Sequence, residues 1–279
     1  MKIVIDENLK GKELYKFLVE NKSQLIAQKK SMVKKTDAVE SSAILYNVQG
    51  ETITKAVSTQ IPSDATSVRV KVVGNTAYYL DSQKDLLIPN CWNKTIKDRA
   101  GLIPHLHDHI HELDAEVGDV AKIYSQDVSL TDLGINRKGS TQSLMMESDV
   151  QKSYNPKVFQ KYKSGRIKQH SIGLLYVSID LAINDEESEK EFALWNKYID
   201  LVINKDEAEA DGFMWIVSEI KLLEISCVLF GSNKLTPTLE VKADTKEEPL
   251  QDTPIEPSEV PEQKGIDIEQ LLKSFKSVQ

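Results

Sequence analysis

The chain has little cysteine, no excess of positive charge and no long apolar run. Its 279 residues include two cysteines, Cys91 and Cys227, and neither has a CxxC partner, which excludes zinc-ribbon and thioredoxin-type chemistry. Two thiols without a disulfide framework are typical of a reducing cytosol. The net charge of −8 argues against a nucleic-acid binder whose affinity comes from a global positive field.

Long apolar segments are also missing. No run approaches the roughly 18 residues of a membrane span, and the first residues lack the apolar region of a secretory signal. We therefore expect a soluble, intracellular protein without a membrane partner. Hydrophobic residues make up 40% of the chain, enough for a core, and the length suits one large domain or a domain with appendages.

The residue patterns predict helices and strands in alternating blocks. An apolar stripe at helical spacing predicts a helix over residues 9 to 35. From residue 43, β-branched and aromatic residues in alternation predict strands, with a hairpin at "VVGNTAYY". The stretch from 131 to 152 is polar and rich in turn residues, so it is predicted to be a loop. The later segments are predicted as a short helix after Pro89, a short helix at "NPKVFQKYKSG", strands at "QHSIGLLYVSIDLAI" and "GFMWIVSEIKLLEISCVLFG", and a helix between those strands.

The C-terminal segment differs in composition from the rest. The stretch from 241 to 265 holds four of the nine prolines and many acids, so it cannot bury enough apolar surface to fold alone. It is followed by a short amphipathic helix that is expected to order only against a partner. The predicted fold class is α+β, with helices around a β-rich core: an N-terminal helical arm (1–40), the core (41–240), and a disordered acidic Pro-rich linker with the short helix (241–279).

Four of the five histidines alternate along one short stretch, at His105, His107, His109 and His111. If this stretch were one strand, all four imidazoles would point to the same face. Three uses fit such a run. Paired histidines on a strand can ligate zinc, one histidine can act as a catalytic base, or the run can be polar surface. No HExxH motif accompanies them.

A catalytic base needs a nucleophile, and the chain has no GxSxG elbow. Ser171 opens a long apolar strand beside a glycine in "QHSIGLL", where an ordinary strand-start serine is the alternative. Cys91 and Cys227 are weaker candidates, and Cys227 lies in an apolar run that favours packing. Glu224 interrupts another apolar strand, and a buried carboxylate there is costly unless it is paired, for instance with a histidine.

Several of these segments, taken in order, resemble the prohead (capsid maturation) proteases of tailed bacteriophages. They are "YYLDSQKDLLIPNCWNKTIKDR", "HLHDHIHELDAEVGDVAKIY", "SGRIKQHSIGLLY" and "IKLLEISCVLFGSNKLTPT". The resemblance covers about residues 68 to 240. Its most specific part is "SIG" together with the later "LLEISCVLFGSN". Asn90 stands where the family usually has a glycine.

The resemblance implies a herpesvirus assemblin-like, β-barrel-like core flanked by helices, and makes residues 41 to 240 a protease domain. It assigns Ser171 as nucleophile and His109 as base, because the family's base lies about nine residues before the glycine that corresponds to Gly118. His107 is the second choice for the base. Glu224 is the expected third member.

The implied activity is serine endopeptidase cleavage of scaffold protein, of the major capsid protein and of the enzyme itself. It would take place in the host cytoplasm, inside the assembling prohead, and would include self-association of the enzyme. We expect no metal, no other cofactor and no direct nucleic-acid contact. Two alternatives remain at this point: a non-enzymatic capsid assembly or scaffold protein of the same fold, and a zinc hydrolase that uses the histidine run from His105 to His111.

Overall fold

The computed structural model describes residues 3–6, 8–34 and 61–243. Within these ranges the chain forms a mixed α and β structure, with eight strands in one sheet and six α-helices. The strands are β1 Ser67–Thr76, β2 Asp85–Leu87, β3 His105–His107, β4 Glu116–Ser129, β5 Ser140–Gln151, β6 Gln169–Ile183, β7 Phe213–Val228 and β8 Thr238–Ala243. The helices are α1 Gly11–Glu20, α2 Lys22–Ser31, α3 Asn93–Arg99, α4 Pro156–Lys163, α5 Glu189–Tyr198 and α6 Lys205–Asp211.

Strand β7 is the centre of the arrangement that positions the site. Strand β6 pairs antiparallel with β7 along its whole length. The other edge of β7 is shared by β2 at its beginning and β3 at its end, both parallel to it. From β3 the sheet continues through β4, β5, β1 and β8, each antiparallel to the last.

The sheet is open, because within residues 61–243 the outer strands β6 and β8 form no ladder with each other. The predicted combination of helices with a β-rich core is confirmed at this level. The assemblin-like, barrel-like form of that core stays a prediction. None of the helices in the described ranges is long and apolar enough to span a membrane.

The two long strands at the site are the apolar runs predicted from the sequence. Strands β6 and β7 place most of their residues in the interior on both faces, as continuous hydrophobic runs do. Helix α4 begins as predicted, with Pro156 at its first turn and the side chain of Asn155 accepting a 3.0 Å hydrogen bond from the Val158 N–H. Gly165 follows its end with a positive φ of 67°.

Three predicted elements are wrong. The stretch predicted as a loop from 131 to 152 contains β5, because pairing with β1 on one side and β4 on the other stabilises a strand that its polar residues disfavour. The predicted hairpin at "VVGNTAYY" is absent, since β1 runs on to Thr76 and pairs with β5 and β8. The single helix predicted over 9 to 35 is two helices, separated at Asn21, whose side-chain amide donates to the Phe17 carbonyl at 2.8 Å.

The described part of the N-terminal arm reaches the outer edge of β6 at Lys34. Lys34 and Leu174 exchange two backbone hydrogen bonds, of 2.9 and 3.3 Å. The Lys34 ammonium is buried and makes ion pairs with two buried carboxylates, Asp81 and Asp85. Burial alone would lower the pKa of Lys34, but the two aspartates outweigh it and raise that pKa. The buried charge cluster of Lys34, Asp81 and Asp85 therefore holds the arm against β6 at Leu174, which is three residues after Ser171.

Some sequence predictions fall outside the described residues. These are the strands predicted between 43 and 60, and most of the acidic linker with the C-terminal helix. The linker is predicted to begin at residue 241, whereas the described chain continues in β8 to Ala243.

Candidate active site

The histidine run is a strand only over its first three residues. Strand β3 ends at His107, and Asp108 and His109 both have positive φ values, of 52° and 56°. The Ile110 N–H donates to the His107 carbonyl at 3.1 Å. Residues 107 to 110 therefore form a tight turn with two left-handed central residues, as in a type I′ turn. The stretch is therefore not one strand, and the condition for all four imidazoles to share one face is not met, because this turn breaks the alternation before His109.

The turn places His109 against β7, where it meets a buried carboxylate. His109 Nδ1 lies 2.6 Å from Glu224 Oε1. The Ser226 hydroxyl donates to Glu224 Oε2 at 2.7 Å, and the same hydroxyl oxygen accepts from the His109 backbone N–H at 3.2 Å. All three residues are buried, and the exposed fraction of Glu224 is 1%. The carboxylate and the serine thus hold both the ring and the backbone of the histidine.

These contacts fix the tautomer of His109. An ionised carboxylate only accepts hydrogen bonds, so Nδ1 must carry the hydrogen that lies between it and Glu224. A neutral His109 then has its lone pair on Nε2, which is the nitrogen that a general base uses. A buried carboxylate that orients a histidine in this way is the second half of a serine–histidine–acid arrangement.

Ser171 lies on the neighbouring strand, next to this group. It is buried and stands directly opposite Ser226 in the antiparallel β6–β7 register. Side chains that are paired in this way share one face of the sheet, with Cβ atoms about 5 Å apart. The fold therefore brings together, on one face, the three residues singled out from the sequence: Ser171, His109 and Glu224.

Gly173 is the residue that makes room for the carboxylate. It pairs with Glu224 across the two strands. A Cβ atom at position 173 would lie 2.2 Å from Glu224 Oε1 and 3.0 Å from its carboxyl carbon. The glycine of "SIG" thus has a steric role, because the Glu224 carboxylate occupies the space of the missing side chain.

A second buried polar group lies on the opposite face of the same strands. His105 Nε2 is 3.1 Å from the Tyr162 hydroxyl, and that hydroxyl is 2.8 Å from His170 Nε2. The chain of contacts ends at Ser148, 3.0 Å from His105 Nδ1, and at the Thr236 carbonyl, 3.1 Å from His170 Nδ1. Because residues alternate between faces, His170 and Ser171 point to opposite sides of β6.

The positions of the hydrogens in this network follow from the Thr236 carbonyl at one end of it. The Thr236 carbonyl only accepts, so His170 donates from Nδ1 and accepts at Nε2 from the Tyr162 hydroxyl. His105 then donates from Nε2 to the tyrosine oxygen. The network is complete when both imidazoles are neutral.

Burial keeps these imidazoles neutral. It lowers the pKa of His170 to about 4, although the hydrogen bond to Thr236 acts the other way. Burial, together with the neighbouring His170, holds the pKa of His105 well below the ordinary value of 6.5. His105 therefore has a structural role, between the sheet and α4, and does not belong to the His109 group.

The other sequence candidates lie away from this arrangement. His107, the second choice for the base, is half-buried and its Nδ1 lies 3.2 Å from Asp108 on the surface. His111 is exposed. Both cysteines are buried in the main apolar core. Burial raises the pKa of Cys227 to about 12 and that of Cys91 well above its ordinary value, so neither thiol is an activated nucleophile.

Asn90 stands where the prohead proteases that the sequence resembles usually have a glycine, and its backbone conformation explains why an asparagine suits this position. Its φ is 71°, in the left-handed region that glycine and asparagine adopt most readily. Its side-chain oxygen accepts hydrogen bonds from Asn93 and Gln142. An asparagine at position 90 is therefore compatible with the left-handed backbone found there.

The histidine run does not form a metal site in the described structure. Within residues 3–6, 8–34 and 61–243, no group of three or more histidine, cysteine, aspartate or glutamate side chains is arranged to hold a metal ion. The turn after His107 separates the imidazoles that a zinc site would have to combine. The zinc hydrolase alternative therefore lacks the geometry on which it depended.

Sequence reasoning missed Ser226 and Tyr162 as members of these networks and gave no steric role to Gly173. The signal for Ser226 is strand alternation, which places it on the same face as Glu224. No local signal identifies Tyr162, because it joins the two histidines only after α4 folds against the sheet.

A scan against protein-family models finds no match, and searches of curated proteins and of solved structures also return none. The functional interpretation of the site therefore depends on its geometry and on the motif resemblance described above.

Proposed function

We propose that the chain is a serine endopeptidase of the prohead-protease type, which cleaves scaffold and capsid proteins, and itself, during phage prohead maturation. The observation that supports this most is the pair His109–Glu224, joined at 2.6 Å, with Ser171 on the adjacent strand. A buried carboxylate, an oriented imidazole and a neighbouring serine are the three groups that acyl transfer to serine requires.

Each residue has one task in the proposed reaction. His109 Nε2 takes the Ser171 hydroxyl proton as the serine oxygen bonds to the carbonyl carbon of the peptide. The tetrahedral intermediate collapses when the C–N bond breaks, and His109 returns the proton to the leaving amine. A water molecule, deprotonated by the same nitrogen, then hydrolyses the acyl-enzyme and restores Ser171.

Glu224 acts through the histidine. It holds the Nδ1–H tautomer and stabilises the imidazolium that forms while the proton resides on Nε2. Ser226 keeps one carboxylate oxygen fixed and binds the His109 backbone. These buried hydrogen bonds supply the preorganisation that a catalytic group needs.

The test is the intact mass of the full chain, produced alone and together with the capsid and scaffold proteins of the phage. Three proteins are compared: wild type, Ser171→Ala, and Ser178→Ala. Ser178 is a control on the same strand, because it is exposed and contacts the Ser218 hydroxyl. We expect trimming of the chain or of its partners with wild type and Ser178→Ala, and full-length products with Ser171→Ala.

Equal trimming in all three proteins would show that another protease cuts them. Full-length products in all three, with both partners present, would contradict the proposal and favour the non-enzymatic assembly protein.

A further inference from the structure

An apolar cavity of about 430 Å³ adjoins the His109–Glu224 pair. Its apolar lining comes from Pro104, Leu106, Leu113 and Leu223, and Glu224 forms part of its wall. Leu113 is the most exposed large hydrophobic residue in the described ranges, at 94%. Leu113 therefore extends the apolar lining of the cavity to the protein surface, as in the largely apolar pockets that bind ligands.

The cavity lies on the same face of the sheet as Ser171. Leu106 on β3 pairs with Ser226 on β7, and Ser226 pairs with Ser171 on β6. The three side chains thus form a row across three adjacent strands. With strands about 4.8 Å apart, the cavity floor at Leu106 lies roughly 10 Å from Ser171. An extended peptide covers that distance in about three residues.

The rim of the cavity carries negative charge. Glu112 and Glu116 both line it and both are exposed. His111 is the one basic residue among the described residues that line the cavity. An aliphatic side chain would pack against the apolar part, and a lysine or arginine next to it would meet the two carboxylates.

From this we infer that the cavity is a substrate subsite for a peptide that carries an aliphatic side chain beside a basic one, within about three residues of the bond that Ser171 attacks. The inference deepens the proposed function and relies on it for the cleavage step. Peptide binding to the cavity does not require catalysis, so the two claims can fail separately.

The experiment uses four fluorescein-labelled decapeptides in a neutral Gly/Ser/Ala background. They differ only at two adjacent central positions, which are leucine–lysine, leucine–glutamate, serine–lysine or serine–glutamate. Cleavage by the wild-type full chain is measured as kcat/KM, and binding to the Ser171→Ala protein is measured by fluorescence anisotropy. We expect leucine–lysine to be preferred in both, at least tenfold over serine–lysine, in line with the burial of one aliphatic side chain.

A charge-reversed variant tests the rim. We expect Glu112→Lys/Glu116→Lys to prefer leucine–glutamate over leucine–lysine. Salt at 0.5 M should reduce this preference, because both substituted positions are exposed. The matched control is Glu20→Lys/Glu209→Lys, which makes the same charge change at two exposed helix positions and should keep the wild-type preference.

The outcomes separate the two claims. Cleavage without a leucine–lysine preference would overturn the subsite and leave the protease proposal intact. Binding with that preference but no cleavage of any peptide would support the subsite and count against the protease. If no peptide were bound and none were cleaved, the subsite would be overturned and the protease proposal would be weakened as well.

Discussion

Substituting Gly173 by alanine should displace the carboxylate that orients His109. The new Cβ would lie 2.2 Å from Glu224 Oε1, whereas an ordinary C···O contact needs about 3.3 Å. Glu224 must therefore retreat by about 1 Å, or the two strands must separate. Because Glu224 Oε1 is held 2.6 Å from His109 Nδ1, a retreat of that size takes the pair beyond hydrogen-bond range.

Two measurements report this change. Overpacking of a buried site should lower the free energy of unfolding by about 1–3 kcal/mol, measured by urea denaturation. Misplacement of a catalytic group by about 1 Å should lower kcat/KM about 100-fold, measured on a cleaved peptide or on self-processing. KM should change much less than kcat, because Gly173 acts through Glu224 and His109.

The control is Gly101→Ala. A Cβ atom added at Gly101 would meet open space, with no neighbouring atom within 4 Å, and the φ of this glycine is not positive. This variant should therefore match wild type in both assays. If Gly173→Ala also matched wild type in stability and in activity, the argument that Glu224 fills the space beside this glycine would be refuted.

Three further predictions concern the buried groups. The free energy of unfolding should fall as the pH is lowered from 6.5 towards 4, because in that range the unfolded chain takes up protons on His105 and His170 and the folded chain does not. The pKa of His170 is lowered to about 4. This residue should therefore account for a loss of about 2 kcal/mol between pH 6.5 and pH 5, measured by urea denaturation. Lys34→Met should cost about 3–5 kcal/mol by thermal or urea denaturation, because it leaves the buried Asp81 carboxylate without its cation and leaves Asp85 with Lys29 alone. Ser226→Ala should cost about 1–3 kcal/mol and lower kcat, since it removes a bond to the carboxylate and leaves the His109 N–H without its acceptor.

Each of these has its own control. A His170→Gln variant should show a shallower pH dependence than wild type, and an equal slope would assign the effect elsewhere. Lys12→Met removes an exposed ion pair with Glu187 and should leave the melting temperature unchanged. If Lys12→Met and Lys34→Met lowered the stability by the same amount, the special role of the buried cluster around Lys34 would be refuted. For Ser226, wild-type stability and kcat in Ser226→Thr would support the hydrogen-bond explanation. A fully active Ser226→Ala enzyme would contradict it.

The elements with strong sequence patterns were predictable. Strands β6 and β7 are long apolar runs, and α4 has a clear Asn-Pro start, so burial and capping gave their type directly. Strand β5 was not predictable in this way, because its serines and acids disfavour a strand until β1 and β4 pair with both its edges. Its position in the middle of the sheet is a tertiary effect that local propensity does not contain.

The candidate site, too, was predictable from the sequence only in part. Ser171, His109 and Glu224 came from motif resemblance and from the cost of a carboxylate in an apolar strand. The reason that His109 rather than His105 meets Glu224 is a turn with two left-handed residues, Asp108 and His109. Neither residue type demands that conformation, so strand alternation extended through the run gave the wrong faces.

The decisive test of the proposed catalytic group is covalent labelling of Ser171 by a fluorophosphonate, in which the serine oxygen displaces fluoride from phosphorus. The full chain is treated in the native state, digested and mapped by mass spectrometry, beside the His109→Ala and Ser178→Ala variants. We expect labelling at Ser171 in wild type and in Ser178→Ala, and labelling at least 100-fold slower in His109→Ala. Absence of label at Ser171 in the native wild type, or an equal rate in His109→Ala, would contradict the assignment of nucleophile and base.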